Sequence, residues 1–325
     1  MLKEKQGKIM AKREPPVNKT LDFKQPGWYF RLANFFRSKF GEPIYKIPLD
    51  AGFSCPNRDG TVGTTGCSYC YNPSFSPFSG DTKTSVSEQL QRGKKKKKRA
   101  RYLAYFQSYT NTHAPLEKLK ALYDEALDDP EVIGLSIATR PDCVSEEIIC
   151  MLEDYAVRCH LWVEYGLQSA HDQTLQLINR GHDCDQFVKA VEMTRNRGIY
   201  ICAHIILGLP GETPEMMLET IDLLNQLSID GVKFHHLQII KNTPLAEEYK
   251  KNKIPLYEKA GDYIPIICDC LERLSPNIAV HRLASQAASK DLLIAPHWPE
   301  GAGQIASMVE AELTRRGTYQ GISCS

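Results

Sequence analysis

Between Cys55 and Cys70 the chain carries three cysteines in a Cys-x11-Cys-x2-Cys spacing, and this stretch limits what the rest can be. The residues between them are polar and Gly-rich and lack helical periodicity, so the stretch is a loop. A loop presenting three thiols suits a metal ion or an iron–sulfur cluster, because clusters are held by cysteine thiolates. The two-residue gap lets Cys67 and Cys70 converge on one site, while Gly60, Gly63 and Gly66 give the long gap its freedom to bend. A structural zinc ion takes four ligands. Only three cysteines are local, and no Cys or His follows at zinc-finger spacing, so zinc would need a fourth ligand from a distant part of the chain. Three cysteines on a four-iron cluster would leave one iron open to a small molecule.

The 325 residues suffice for one large α/β barrel or two domains. The formal charge of +1 gives no bulk attraction for a polyanion, so any such attraction must be local. No apolar run approaches the roughly 20 residues of a membrane-spanning helix, and the basic, polar start has no apolar core of a signal peptide. Eleven cysteines without a secretory signal point to a reducing, cytoplasmic setting rather than a disulfide framework. Residues 1–26 read as a flexible tail.

From Trp28 onward, apolar residues at helical spacing give a short helix stopped by Gly41 and packed across one end of the fold. Strands are expected at 45–50, 102–107, 132–138, 161–167, 199–207 and 231–240. Helices are expected at 85–92, closed by Gly93, and at 116–127, 145–155, 185–197 and 214–227. Strands alternating with helices of this length mean right-handed βαβ units and a parallel sheet. The expected class is therefore α/β, with a doubly wound sheet or a barrel as its two forms. Beyond 242 the pattern changes to a helix at 257–274 interrupted at Pro265, strands at 278–283 and 292–296, and a helix at 303–316. The expected division is a barrel over 27–241 and a small α+β extension over 242–325.

Period-two geometry puts Trp162, Glu164, Gly166 and Gln168 on one side of the fourth strand. A buried carboxylate and amide need partners, since leaving one unpaired costs about 1–3 kcal/mol. They either meet a ligand inside the barrel or close a structural network. On the sixth strand Lys233, His235 and Leu237 share a face, with His236 opposite, and the fifth strand offers His204. Lys233, His235, His204 and Glu164 are the candidate catalytic side chains for substrate binding or proton transfer, with structural pairing as the plain alternative. Cys268 and Cys270 could bridge an auxiliary cluster, but buried idle thiols are the simpler reading.

The cysteine loop, with Tyr69 just before its last cysteine, resembles the cluster loop of the radical S-adenosylmethionine (SAM) superfamily. Its long first gap departs from the commoner three-residue gap and resembles the catalytic subunit of elongator and a related bacterial group. The string Glu164-Tyr165-Gly166-Leu167-Gln168-Ser169 is similar to the fourth-strand motif of the oxygen-independent coproporphyrinogen oxidases and the elongator subunit. The resemblance implies that Gln168, and Arg180 twelve residues on, contact SAM. Gly208 and Leu209 match the superfamily's fifth-strand loop, whose backbone lies against the adenine. Gln107 and Ser108 stand where a Gly-Gly-Glu-like segment usually binds the SAM amine, although the glycines are missing here. Thr139 sits at the matching end of the third strand.

The resemblance further implies a partial (β/α)6 TIM-like barrel with its chemistry at the carboxyl ends of the strands. Cys55, Cys67 and Cys70 would hold three irons of a [4Fe-4S] cluster, and the fourth iron would chelate SAM. One electron, from a donor such as flavodoxin or ferredoxin, would then split SAM to methionine and a 5′-deoxyadenosyl radical. The substrate is not written in these motifs. The run Lys94, Lys95, Lys96, Lys97, Lys98, Arg99 and Arg101 is followed by Tyr102, Tyr105 and Phe106, a pattern that could neutralise phosphates. As a bare sequence feature it is equally a solvated loop. The elongator resemblance implies transfer RNA as partner. The contrasting readings are a radical enzyme acting on a small metabolite or protein, and a metal- or cluster-binding scaffold without catalysis.

Overall fold

The computed structural model describes residues 27–74, 76, 84–94, 100–252, 254–285 and 290–324. In chain order the first half runs α1 (Leu32–Phe40), β1 (Ile44–Leu49), α2 (Val86–Lys94), β2 (Arg101–Phe106), α3 (Leu116–Leu127), β3 (Val132–Thr139), α4 (Glu146–Arg158) and β4 (His160–Gln168). It continues with α5 (Asp172–Leu177), α6 (Cys184–Thr194), β5 (Tyr200–Leu207), α7 (Pro214–Gln226), β6 (Gly231–His236), β7 (Ile239–Ile240), α8 (Pro244–Lys251) and α9 (Ala260–Arg273). The chain closes with β8 (Ala279–Arg282), β9 (Leu293–Ala295) and α10 (Ala302–Arg316).

The expected partial barrel is present, and it carries a seventh strand. The sheet order is β1-β2-β3-β4-β5-β6-β8, and every neighbouring pair is parallel. β8 comes from the region expected as a separate extension, yet Ala279 and Val280 pair with Gly231 and Val232 of β6. The expected sixth strand over 231–240 is two strands, and β7 pairs antiparallel with β9 instead. The sheet curls until Lys46 on β1 reaches His281 on β8, with 3.3 Å between Nζ and Nδ1.

Alternation along each strand divides the core. Ile47, Phe106, Ile137, Val163, Ile205 and Phe234 belong to the large buried cluster that includes helix residues such as Leu90, Tyr123 and Ile221. Leu103, Trp162 and Cys202 form a separate cluster with Phe36 of α1. Phe35 meets Trp162, His160 and Tyr200 at the starts of β4 and β5, so α1 covers the amino-terminal end of the barrel. Burying a side chain such as Phe36 contributes about 1.5–3 kcal/mol.

Two local expectations fail for reasons of packing. Gly93 lies inside α2 rather than ending it, and a Cβ there would come within 2.4 Å of Ile47. It marks a close approach of helix to strand. Pro265 does not interrupt α9, which begins at Ala260 and runs through it. The carbonyl that loses its partner belongs to exposed Gly261, which water can serve. Among the described residues no helix is long and apolar enough to cross a membrane.

Candidate active site

The loop after β1 is held by its own backbone. The Arg58 and Asp59 N–H groups donate to the Cys55 carbonyl at 2.8 and 3.0 Å, and the Cys70 N–H donates to Cys67 at 3.1 Å. Gly66 turns the chain with φ 76°, a conformation that costs a side chain. Segment 178–180 buttresses it: Asn179 Nδ2 donates to the Gly66 carbonyl at 2.8 Å, and Asn57 Nδ2 to the Asn179 carbonyl at 2.7 Å.

Cys55, Cys67 and Cys70 line one cavity of about 220 Å³ at the carboxyl ends of the strands, with Tyr69, Gln107, Thr139, Gln168 and Arg180. Arg180 Nη1 lies 3.4 Å from the Cys67 sulfur, and its Nη2 donates to the Gly166 carbonyl at 2.6 Å. Arg140 donates to the Arg180 carbonyl at 2.7 Å and is itself held by Asp142 through two hydrogen bonds. Burial pushes the Cys67 thiol up, but the Arg180 and Arg140 charges and the Asn57 amide outweigh it, leaving Cys67 below its usual value. Cys70 is pushed up to about 12 by burial and by the charge on Cys67. Cys67 thus favours the charged form while Cys70 resists it, so a cationic group beside them would hold Cys70 as a thiolate too. The donor set therefore fits an iron–sulfur cluster with three protein ligands.

Below the cysteines, Glu164 collects side chains from five other strands. Its Oε1 accepts from Lys46 of β1 and Ser136 of β3. Its Oε2 accepts from His204 of β5 at 2.6 Å and Lys233 of β6 at 3.1 Å, and His281 Nδ1 of β8 lies 4.0 Å from Oε1. Lys233 also donates to the Tyr105 hydroxyl at 2.7 Å. Burial raises the Glu164 carboxyl, yet Lys233, Lys46 and the His204 hydrogen bond hold it well below the carboxylate range. Burial lowers Lys233 to about 8 against the pull of Glu164, and lowers His204 to about 4. His204 is thus a neutral ring that donates through Nε2 and keeps Nδ1 as an acceptor.

The cavity brings together most of the side chains singled out in the sequence: the three cysteines, Tyr69, Gln107, Thr139, Glu164, Gln168, Arg180, His204, Lys233 and His235. It does not include Ser108, Gly208 or Leu209. Ser108 is fully buried and donates to Ser76 at 2.7 Å. A Cβ on Gly208 would face the Tyr257 ring at 3.0 Å, and Leu209 is packed in an apolar cluster with Leu237. Lys95–Arg99 lie outside the described residues. Lys94 ends α2 and pairs with Asp129 and Glu131, while Arg101 begins β2 beside Ile44. Both flanks of the basic run thus lie at the amino-terminal end of the sheet, opposite the cysteine loop. The sequence reading missed Lys46, Ser136, His281 and Arg282, named Tyr105 only as an aromatic after the basic run, and named Arg140 only within the motif at 139–142. Period-two spacing on β1 and β2 was the available signal for placing Lys46 and Tyr105 inside; Ser136, His281 and Arg282 needed the register.

A family model described as the Radical SAM superfamily matches residues 58–224, and the Radical_SAM C-terminal domain matches 229–315. The chain is 40% identical over 297 residues to uncharacterized protein YtqA of Bacillus subtilis (strain 168), covering 90% of this chain and 92% of that protein. It is 33% identical over 131 residues to the tRNA uridine(34) acetyltransferase of Methanocaldococcus infernus, covering 39% of this chain and 24% of that one. Among solved structures, archaeal Methanocaldococcus infernus Elp3 with an N-terminal deletion aligns with a TM-score of 0.65 at 16% identity, covering 85% of this chain and 64% of that chain. At that identity the likeness is one of fold.

Proposed function

The chain belongs to the radical SAM superfamily, and we propose that it is an enzyme that modifies a nucleoside of transfer RNA. Cys55, Cys67 and Cys70 would hold the [4Fe-4S] cluster. When bound, that cluster would supply the electron, taken from a donor such as flavodoxin or ferredoxin, for splitting SAM to methionine and a 5′-deoxyadenosyl radical. Arg180 bridges the Cys67 sulfur and the Gly166 carbonyl and, with Gln168, lines the cavity in which SAM would sit. Glu164 aims Lys233 and His204 into the cavity, where Lys233 holds a proton for a substrate atom that gains negative charge.

The observation that carries the transfer RNA reading is the 131-residue stretch shared at 33% identity with a tRNA uridine(34) acetyltransferase. The basic run enters it as a contact for the RNA body, since Lys94 and Arg101 flank it at the end of the barrel away from the reacting nucleoside. The test is to compare the nucleosides of transfer RNA from cells with and without this gene by mass spectrometry. One modified nucleoside should vanish, return with the wild-type chain and stay absent with Cys67→Ala. An unchanged profile alongside a purified protein that cleaves SAM would send the search to small metabolites or proteins.

A further inference from the structure

Glu164 is the one carboxylate among the described residues lining the cavity, and its oxygens are fully engaged by Lys46, Ser136, His204 and Lys233. A carboxylate offers about four lone-pair sites, so it has nothing left to give. The cavity's arginines divide sharply. Arg140 has Asp142, Arg180 has Cys67 and the Gly166 carbonyl, and Arg58 has the Cys70 carbonyl. Arg282, the last residue of β8, has no carboxylate partner among the described residues and lines the cavity half-buried.

Arg282 also stands in register with Lys233 on β6. Like charges directly opposite each other on neighbouring strands repel. The rings beside them do not relieve this, because burial keeps His235 and His204 neutral. His235, Ser285 and Gln238 also line the cavity; His235 Nδ1 lies 3.2 Å from the Ser285 hydroxyl, which donates to the His236 carbonyl at 3.1 Å. A built pair of cations, one without a carboxylate among the described residues, with the Gln238 amide lining the same cavity, is a receptor for an anion.

We propose that Arg282, with Lys233 and His235 beside it, forms an anion subsite that holds a carboxylate or phosphate group of the substrate. The inference rests on the cavity being the substrate site. It names the chemistry the substrate must carry, whether the anion is a nucleotide phosphate or the carboxylate of a small acid.

The experiment is calorimetric titration of the full chain, loaded with its cluster and saturated with SAM so that the SAM carboxylate is already placed. The probes are uridine 5′-monophosphate, inorganic phosphate, acetate and uridine. At least one anion should bind about tenfold or more tighter than uridine. Arg282→Gln should lose that preference, and Arg282→Lys should recover part of it. Without ligand, Arg282→Gln should melt no lower than wild type, because it removes a repelled cation rather than a partnered one. A preference for the phosphates marks a nucleotide substrate, and one for acetate a small acid. Equal binding of charged and uncharged probes, no anion binding, or an unchanged affinity in Arg282→Gln overturns the proposal. Because transfer RNA nucleosides and SAM cleavage are not read here, this result is separate from failure of the transfer RNA reading.

Discussion

The two ends of the cavity are built in opposite ways. The cysteine end comes from one contiguous loop, is braced by Asn57, Asn179 and Arg180, and leaves Cys70 pushed up to about 12. It is electrostatically unfinished and needs a group from outside. The floor comes from six strands that meet at Glu164, whose charge is met by Lys46 and Lys233 and whose oxygens are all engaged. The protein meets the Glu164 charge by itself, although Arg282 stands beside Lys233 without a carboxylate among the described residues. The comparison teaches that the cysteine end depends on a group from outside, whereas the Glu164 network supplies its own counter-charges.

The sharpest way to break this contrast is to exchange the damage. Glu164→Ala strands Lys46 and Lys233 as buried like charges, so denaturant unfolding of the cluster-free chain should show a loss of about 3–5 kcal/mol. Cys67→Ser should cost no more than about 1–2 kcal/mol while abolishing iron uptake. If Cys67→Ser destabilises as much as Glu164→Ala, the thiol end is structural and the contrast fails.

A smaller effect concerns acid. His204 is held near 4 in the fold against 6.5 in its ordinary state. Between those values the unfolded chain binds the extra proton, so stability falls as pH drops through this window and recovers above it. Substituting His204→Asn should flatten the fall from pH 6 to pH 5 by about 1.2 kcal/mol, measured by urea unfolding at each pH. A slope unchanged by the substitution would show that the His204 ring is not kept neutral.

The smallest effect falls where the two ends join. A Cβ at Gly166 would press to 2.5 Å from Arg180 Nη2 and 2.7 Å from Gln168 Nε2. Gly166→Ala should therefore shift the guanidinium off Cys67 and lower SAM affinity severalfold, read by calorimetry on the loaded protein. Unfolding stability should change less than in Glu164→Ala. Normal SAM affinity in this variant would separate Arg180 from the SAM site.

What could be read in the sequence follows the same division. The cysteine end lay within sixteen consecutive residues and was legible as one unit, while Gln168 and Arg180, which the cavity brings together, were singled out through the family resemblance alone. The Glu164 network was legible only in part. Alternation put Glu164, His204 and Lys233 inside, but Lys46, Ser136 and His281 became partners through strand register and barrel closure, which no local pattern records. The parallel pairing of β8 with β6 across some forty residues was hidden for that reason, and Arg282 with it. Gly93 was misread because its purpose, the approach to Ile47, lies on another element.

The most direct test of the account is electron paramagnetic resonance of the anaerobically reconstituted, reduced protein with and without SAM. The account predicts a four-iron signal that changes shape when SAM is added and is absent from Cys67→Ala. A colourless protein binding one zinc ion through Cys55, Cys67 and Cys70, or a cluster signal indifferent to SAM, would contradict it.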